Sequence, residues 1–516
     1  MTALEPLEPS VDPALAALAD AILIPPFPGT TAPSWLLKAL ERGLAGVTLF
    51  GSNVVGDTPA LTAALRAAAP VEPVIAIDEE GGDVTRVAYA SGSPYPGNAA
   101  LGAVDDVALT RSVYAAIGAD LFRLGINTDL APCADVLADD GGTAVGTRSF
   151  GPDPSLVARH TAAAVSGLQS SGVAACAKHF PGHGSTGDDS HHSLPTILGT
   201  LADVRARDLP PFIAAIAAGS VAIMPGHLRV PELTGADPAS LSPAAVTGLL
   251  RAELGFPGVV ISDALEMKAA SAVLGIPETA VRAVIAGVDL LCLGRDTDEA
   301  MYHAVRAAIA DAVASGRLDG ARLEEAAARV AALRTQLAAA RDGAGVAAFA
   351  AVGSRSGGTA GVGSGPGAGA DPGSDSSSGE GIGVVAARRA LRRSGPVPSA
   401  LVDPLVVEIE PEENVAAGRF AWGFEPWAAV KRVDPAAGDG AESVVAAAAG
   451  RPLVLAVRDA RTALGLVSDV LAARPDAVLV EMGVPAWTPP PGTAYLATYG
   501  ASRVCAQAAA EALGLA

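Results

Sequence analysis

Lysine is nearly absent from this chain, at four residues against thirty-one arginines, and histidine is scarce at seven. Four of those histidines, His179, His183, His191 and His192, stand with Lys178 in one stretch, KHFPGHGSTGDDSHHSLP. Basic clusters are missing, and the formal net charge is −20, which disfavours nucleic acid and anionic membrane as partners and favours solubility. Cysteine is limited to Cys133, Cys176, Cys292 and Cys505, far apart in apolar stretches and without a C-x-x-C. That pattern excludes a disulfide frame and a zinc-ribbon site, and it predicts small core residues in a reducing compartment. No run of eighteen apolar residues suggests a membrane span. The N-terminal MTALEPLEPSVDPALAALAD is acidic where a signal peptide is basic, so a cytoplasmic location is expected. Aromatics make up only 4%, which leaves alanine to fill much of the core.

What is present is organised in two parts. The stretch SRSGGTAGVGSGPGAGADPGSDSSSGEGIG cannot bury apolar surface and reads as a flexible linker, placed at 342–383. It separates a larger part, 1–341, from a smaller one, 384–516. In the larger part short apolar runs alternate with helical patterns. The expected strands are 21–24, 46–50, 74–77, 128–130, 173–177, 221–224, 259–262 and 289–293. Segments such as TPALTAALRAA, PETAVRAVIAG and EAMYHAVRAAIADAVASG read as the helices between them. Eight strands alternating with helices predict parallel β/α units and a (β/α)8 TIM-type barrel, with an open doubly wound sheet as the alternative. The smaller part repeats the alternation. LVVEIE, PLVLAVRD, DAVLVEMG and AYLATYG read as strands of a parallel sheet in an α/β sandwich.

Polar residues gather just after the expected strands: Asp78 and Glu79, Pro132 to Asp135, Lys178 and His179, Gly226 and His227, Asp263, and Gly294 to Asp296. Catalytic groups of β/α barrels stand at these strand ends. Asp263, in VVISDALEM, has two readings. Asp263 or Ser262 caps a helix over ALEMKAA, or the carboxylate is a nucleophile of the kind that retaining glycosidases use. Asp189 and His191 lie two apart, so in an extended loop they point the same way, and the carboxylate would orient the imidazole and raise its basicity. The bland reading is a solvated polar loop. A metal site is a rival, since His179, His183, His191, His192 and two aspartates are ligand types. Pro181, Gly182 and Gly184 argue against the helix that H-x₃-H ligation would use. Lys178 offers a compact charge with three donors, suited to hydroxyls at close range. Asp78 could accept from two neighbouring hydroxyls, and Arg86 and Arg148 are further donors.

Together K-H-F-P-G-H-G, D-S-H, S-D-A-L-x-M, I-D-x-E-G-G and G-x-R-S-F-G resemble glycoside hydrolase family three, in its bacterial β-N-acetylglucosaminidase branch. GVTLFGSN, PYPGNAALGA, GINTDLAP, EMGVP and ATYG add to the likeness. The resemblance implies that Asp263 is the nucleophile and that His191, paired with Asp189 on a mobile loop, is the general acid/base. It implies that Asp78, Arg86, Arg148, Lys178 and His179 hold the N-acetylglucosamine ring of a glycan substrate, with no cofactor and no metal. Two departures stand out. Asp83 occupies the place after E-G-G where relatives usually carry arginine, and the second domain is short. A phosphorylase is the alternative within enzymes, because a histidine acid/base would let phosphate approach. A non-catalytic sugar-binding protein is the alternative outside them.

Overall fold

Eight short parallel strands carry the larger part of the chain in the computed structural model. It describes residues 12–138, 145–184, 186, 194–344, 349, 381–410, 418, 420–435, 438–485 and 487–516. The strands are β1 (Leu23–Ile24), β2 (Gly46–Thr48), β3 (Val74–Ile77), β4 (Thr128–Asp129), β5 (Ala174–Phe180), β6 (Ala222–Pro225), β7 (Val259–Val260) and β8 (Leu291–Cys292). All their residues are buried. Both faces of the strands are buried, so apart from β4 (Thr128–Asp129) and the Lys178–His179 end of β5 they read in sequence as largely apolar runs rather than alternating ones. β2 to β7 form one six-stranded parallel sheet in chain order, and β1 pairs with β8. Backbone contacts join this pair to both edges of the larger sheet. The Thr48 N–H reaches the Pro25 carbonyl at 3.3 Å, and Ile261 bridges Leu290. The β/α alternation in the sequence is therefore present as a parallel α/β sheet.

The helices begin where short acidic side chains can accept first-turn N–H groups. Asp57, Asp106, Asp153, Asp298 and Asp319 each cap the helix that follows: Thr58–Ala68, Val107–Arg123, Pro154–Ser170, Glu299–Ala314 and Gly320–Ala339. Each cap satisfies a donor that no helical carbonyl can reach, typically worth ~1 kcal/mol. Part of the acidic excess of the chain thus has a structural role. The segment Ala244–Glu253 forms a π-helix. Among the described residues, no helix is long and apolar enough to cross a membrane. All four cysteines are free and buried.

The smaller part holds a second six-stranded sheet, ordered β11-β10-β12-β13-β14-β9. Its strands are β9 (Arg392–Ser394), β10 (Leu405–Ile409), β11 (Ala429–Val433), β12 (Leu453–Val457), β13 (Val478–Glu481) and β14 (Ala494–Ala497). All pairings are parallel except that of β9 with β14. The four inner strands are those expected. The edge strands, RRS and AVKRV, were not expected from the sequence. An edge strand meets solvent on one side, so its sequence lacks the continuous apolar run and carries charge instead. Most of the expected linker, 342–383, lies outside the described residues. Helix Ile382–Ala390 starts two residues before the expected boundary at 384. It packs with Ala100 of helix Asn98–Val104 and with Val504, Cys505 and Ala508 of helix Arg503–Ala512, through its own Ala387 and Ala390. Small side chains here let the three helices approach closely. Gly383 shows how closely, because a Cβ there would lie 1.9 Å from the Pro94 carbonyl oxygen.

Candidate active site

The C-terminal ends of β3 and β5 bring most of the expected residues together. After β3 the chain runs Asp78-Glu79-Glu80-Gly81-Gly82-Asp83. Gly81 and Gly82 adopt φ of +72° and +58°, and a Cβ on Gly82 would lie 2.4 Å from Gly97 Cα. Only glycine suits that turn, which sends the carboxylates before it toward β5. Lys178 and His179 do not follow β5, as expected, but lie within it. The strand runs three residues past the apolar run because Lys178 N–H bonds the Pro132 carbonyl (3.1 Å) and the Lys178 carbonyl accepts from Ala134 (2.6 Å). The pairing with β6 shifts register between Lys178 and Phe180, and the Lys178–His179 peptide bond is cis.

These side chains form one connected network. Lys178 Nζ lies 2.6 Å from Asp78 Oδ1 and 2.8 Å from Glu80 Oε1. Arg148 donates to both Glu80 oxygens, at 2.9 Å from Nε and 2.7 Å from Nη2. Arg148 Nη2 also lies 3.4 Å from His179 Nε2. His179 Nδ1 is 2.7 Å from Asp135 Oδ2, while Asp135 Oδ1 accepts the backbone N–H of His179 (3.2 Å) and of His183 (2.8 Å). Exposure is graded: the side chains of Glu80 and Lys178 are 3% accessible, and that of Asp78 is 22%. Asp78 is the member of this ion pair best placed to meet a ligand hydroxyl.

Each buried charge is held by its partners. Burial alone would raise the Glu80 carboxyl, but Arg148 and Lys178 outweigh it and hold the group well below the usual carboxylate range. Burial would lower the Lys178 ammonium, but Asp78 and Glu80 raise it further than burial lowers it. Asp135 follows the Glu80 pattern, with His179 as the dominant opposing charge. His183 is pushed down, by burial first and by the neighbouring His179 second. These shifts favour ionised Glu80, Asp135 and Lys178 beside a neutral His183.

Asp263 follows β7 and is half-buried. Its Oδ1 accepts the N–H of Ala264 at 2.8 Å. The next helix starts only at Lys268, with Met267 at its cap position, so neither Ser262 nor Asp263 caps it. Ser262 Oγ instead accepts from Cys292 N–H at 2.9 Å. The charges of Lys178, Asp78 and Asp263 all reach the buried Cys176 thiol on β5, which burial raises well above its ordinary value. Nearby Glu266 is a buried carboxyl pushed up to about 7, by burial first and then by Asp296 and Asp263 against the backbone bonds it accepts. The backbone N–H of Arg86 bonds Glu79 Oε2 at 2.7 Å, which anchors the loop that carries Arg86. Asp189 and His191 lie outside the described residues, as does His192.

Glu80 and Asp135 are members of this network to which the sequence reading gave no role. Glu80 is one of two glutamates in a turn motif, and Asp135 one of several polar residues after β4. Only their partners, 68 and 44 residues away in the chain, mark them out. Among the described residues, Cys133, Asp135 and His179 could offer three metal ligand atoms within 4.8 Å of one another. Here they bond one another, with Cys133 Sγ 3.2 Å from Asp135 Oδ2.

A parallel α/β fold with a dense ionic cluster at its strand ends has the layout of an enzyme active site. Residues 35–333 match the glycosyl hydrolase family 3 N terminal domain. The chain belongs to that family, and it is a glycoside hydrolase. It is 39% identical over 285 residues to a beta-hexosaminidase of Stenotrophomonas maltophilia (strain K279a), covering 52% of this chain and 84% of that one. It is 37% identical over 271 residues to beta-hexosaminidase LpqI of Mycobacterium tuberculosis, covering 51% and 69%. Both parts of the chain are shared with a glycoside hydrolase family 3 beta-N-acetylglucosaminidase structure from Paenibacillus sp. str. FPU-7. The two are 28% identical with a TM-score of 0.78, and 97% of each chain is covered.

Proposed function

We propose that the chain is a retaining β-N-acetylglucosaminidase that removes terminal β-linked N-acetylglucosamine from cell-wall-derived or chitin-type oligosaccharides. The observation that carries this reading is the clamp of Asp78, Glu80, Arg148, Lys178 and His179, too charged and too well paired to be core. The beta-hexosaminidase relatives support the choice of sugar. Asp78, Arg86, Arg148, Lys178 and His179 hold the ring, with Glu80 and Asp135 fixing their positions. Asp263 attacks the anomeric carbon as the bond to the glycosidic oxygen breaks, and His191 gives that oxygen its proton. Water then attacks the glycosyl ester, His191 takes its proton, and Asp263 leaves as carboxylate. Two inversions return the β configuration. Asp189 orients His191 and raises its basicity.

We also read β1 to β8 as one closed (β/α)8 barrel. The Thr48–Pro25 and Ile261–Leu290 contacts support closure. The domain limits follow as 1–341 and 384–516, with 342–383 between them. Four free cysteines favour the cytoplasm. The test of the function is a product analysis on paired substrates. A nitrophenyl β-N-acetylglucosaminide should be cleaved far better than the matching β-glucoside. Equal kcat/KM on both would mean that the sugar is wrongly assigned, and binding without turnover would favour a sugar-binding protein.

A further inference from the structure

We infer that the C-terminal domain positions the sugar clamp, and that Asp83 and Arg458 are the pair through which it does so. The inference rests on the function proposed above. Asp83 is the residue that departs from the expected arginine, and the structure gives it three partners. Its Oδ1 accepts the backbone N–H of Ala501 at 2.8 Å. Its Oδ2 accepts from Thr147 Oγ1 at 2.9 Å and lies 3.4 Å from Arg458 Nη2. Ala501 and Arg458 belong to the smaller part of the chain. Thr147 belongs to the larger part and directly precedes Arg148, the residue that grips Glu80 with two hydrogen bonds. Asp83 itself stands three residues after Glu80, on the same turn. One buried carboxylate therefore ties the second domain to the two loops that carry Glu80 and Arg148.

Packing follows the same route. Val84, next to Asp83, is 2% exposed and packs in the C-terminal core with Phe420, Phe424, Met482 and Ala501. The loop that starts with Asp78 is thus partly built out of the other domain's interior. The Tyr89 carbonyl accepts from Ala421 N–H at 3.1 Å, which pins the loop's far end. Arg458 is itself set in place, its guanidinium over the Phe420 ring at 4.5 Å and over the Trp422 ring at 5.9 Å. A guanidinium held by aromatic faces and pointed at a buried carboxylate has little freedom to follow a loop that drifts. Asp83 and Arg458 touch no reacting atom in this account. They are positioning residues, and the charges they hold in place are Glu80, Arg148, Lys178 and Asp78.

The test is a double-mutant cycle of Asp83→Ala and Arg458→Ala in the full chain, read by kinetics on the nitrophenyl β-N-acetylglucosaminide and by hydrogen exchange. Arg388→Ala serves as the control, because it breaks a pair with Glu511 inside the C-terminal part and away from the clamp. Each interface variant should raise KM on the order of tenfold with kcat nearly unchanged, since couplings of this kind typically run ~5–150-fold. The double variant should be little worse than either single one. Backbone exchange across 78–84 should quicken in Arg458→Ala and stay as in wild type in Arg388→Ala. Asp83→Asn keeps an acceptor for Ala501, so it should fold and show a milder rise if Asp83→Ala does not fold. Unchanged exchange across 78–84, or KM within twofold of wild type in folded variants, would overturn the inference. Exchange needs no turnover, so it decides this point even if the glycoside is not a substrate.

Discussion

Replacing Glu80 by alanine is the sharpest perturbation of the clamp. The carboxylate is 3% exposed and sits between two cations, with Arg148 bonded at 2.9 and 2.7 Å and Lys178 at 2.8 Å. Alanine would leave a buried guanidinium without its bidentate carboxylate and a buried ammonium with Asp78 as its remaining ion-pair partner. Breaking a buried pair from one side typically costs about 3–5 kcal/mol, because the remaining charge is uncompensated. For a large domain ~1 kcal/mol moves Tm by about 2 °C at the lower end, so Tm should fall by roughly 6–10 °C. The sign with pH follows from the depressed carboxyl. A group held below its ordinary value of 4.5 stabilises the fold above that pH, and the contribution is lost as pH falls below it. Melting by calorimetry from pH 7 to pH 3 should therefore narrow the gap between wild type and Glu80→Ala toward the acid end without closing it. Glu80→Gln should keep some hydrogen bonds to Arg148 and fall between the two. A Glu80→Ala protein that melts within 2 °C of wild type at pH 7 would refute the reasoning.

Three further variants probe a second carboxyl and the proton shuttle. Glu266 is raised to about 7, so the stability it contributes is present below pH 4.5 and lost as pH rises through 7. Glu266→Gln should flatten the fall in Tm between those values, and an unchanged slope there would remove the assignment. His191→Ala should lose ~10²–10⁴ in glycosylation rate with a poor leaving group and much less with a nitrophenolate, which needs little protonation. Asp189→Ala should show a weaker form of that pattern, with the pH profile shifted by a lowered histidine pKa. Equal losses on both leaving groups in single-turnover kinetics would make His191 a binding residue.

The sheet was legible because both faces of parallel strands are covered, so VIAI at β3 and AAC within β5 announce themselves as uninterrupted apolar runs. Lys178 and His179 were legible as chemistry because a chain so poor in lysine and histidine placed them at a strand end. Their exact setting was not, since β5 continues through them on hydrogen bonds to Pro132 and Ala134 that no local pattern encodes. The partners of Glu80, Asp135 and Asp83 stayed hidden for the same physical reason. A buried carboxylate is defined by the cations and N–H groups around it, and those of Asp83 lie 375 and 418 residues away in the chain. The edge strands β9 and β11 escaped notice because half-solvated strands carry arginine and lysine in place of an apolar run.

The central claim is that Asp263 is the nucleophile of a retaining reaction. A mechanism-based fluorinated N-acetylglucosaminide, followed by peptide mass analysis, tests it most directly, because such a sugar stalls on the group that attacks the anomeric carbon. The account predicts a single glycosyl adduct on the peptide that contains Asp263, absent from Asp263→Ala, a variant that folds but has lost nearly all turnover. A label on a different carboxylate, or no adduct from an enzyme that turns the natural glycoside over, would contradict it.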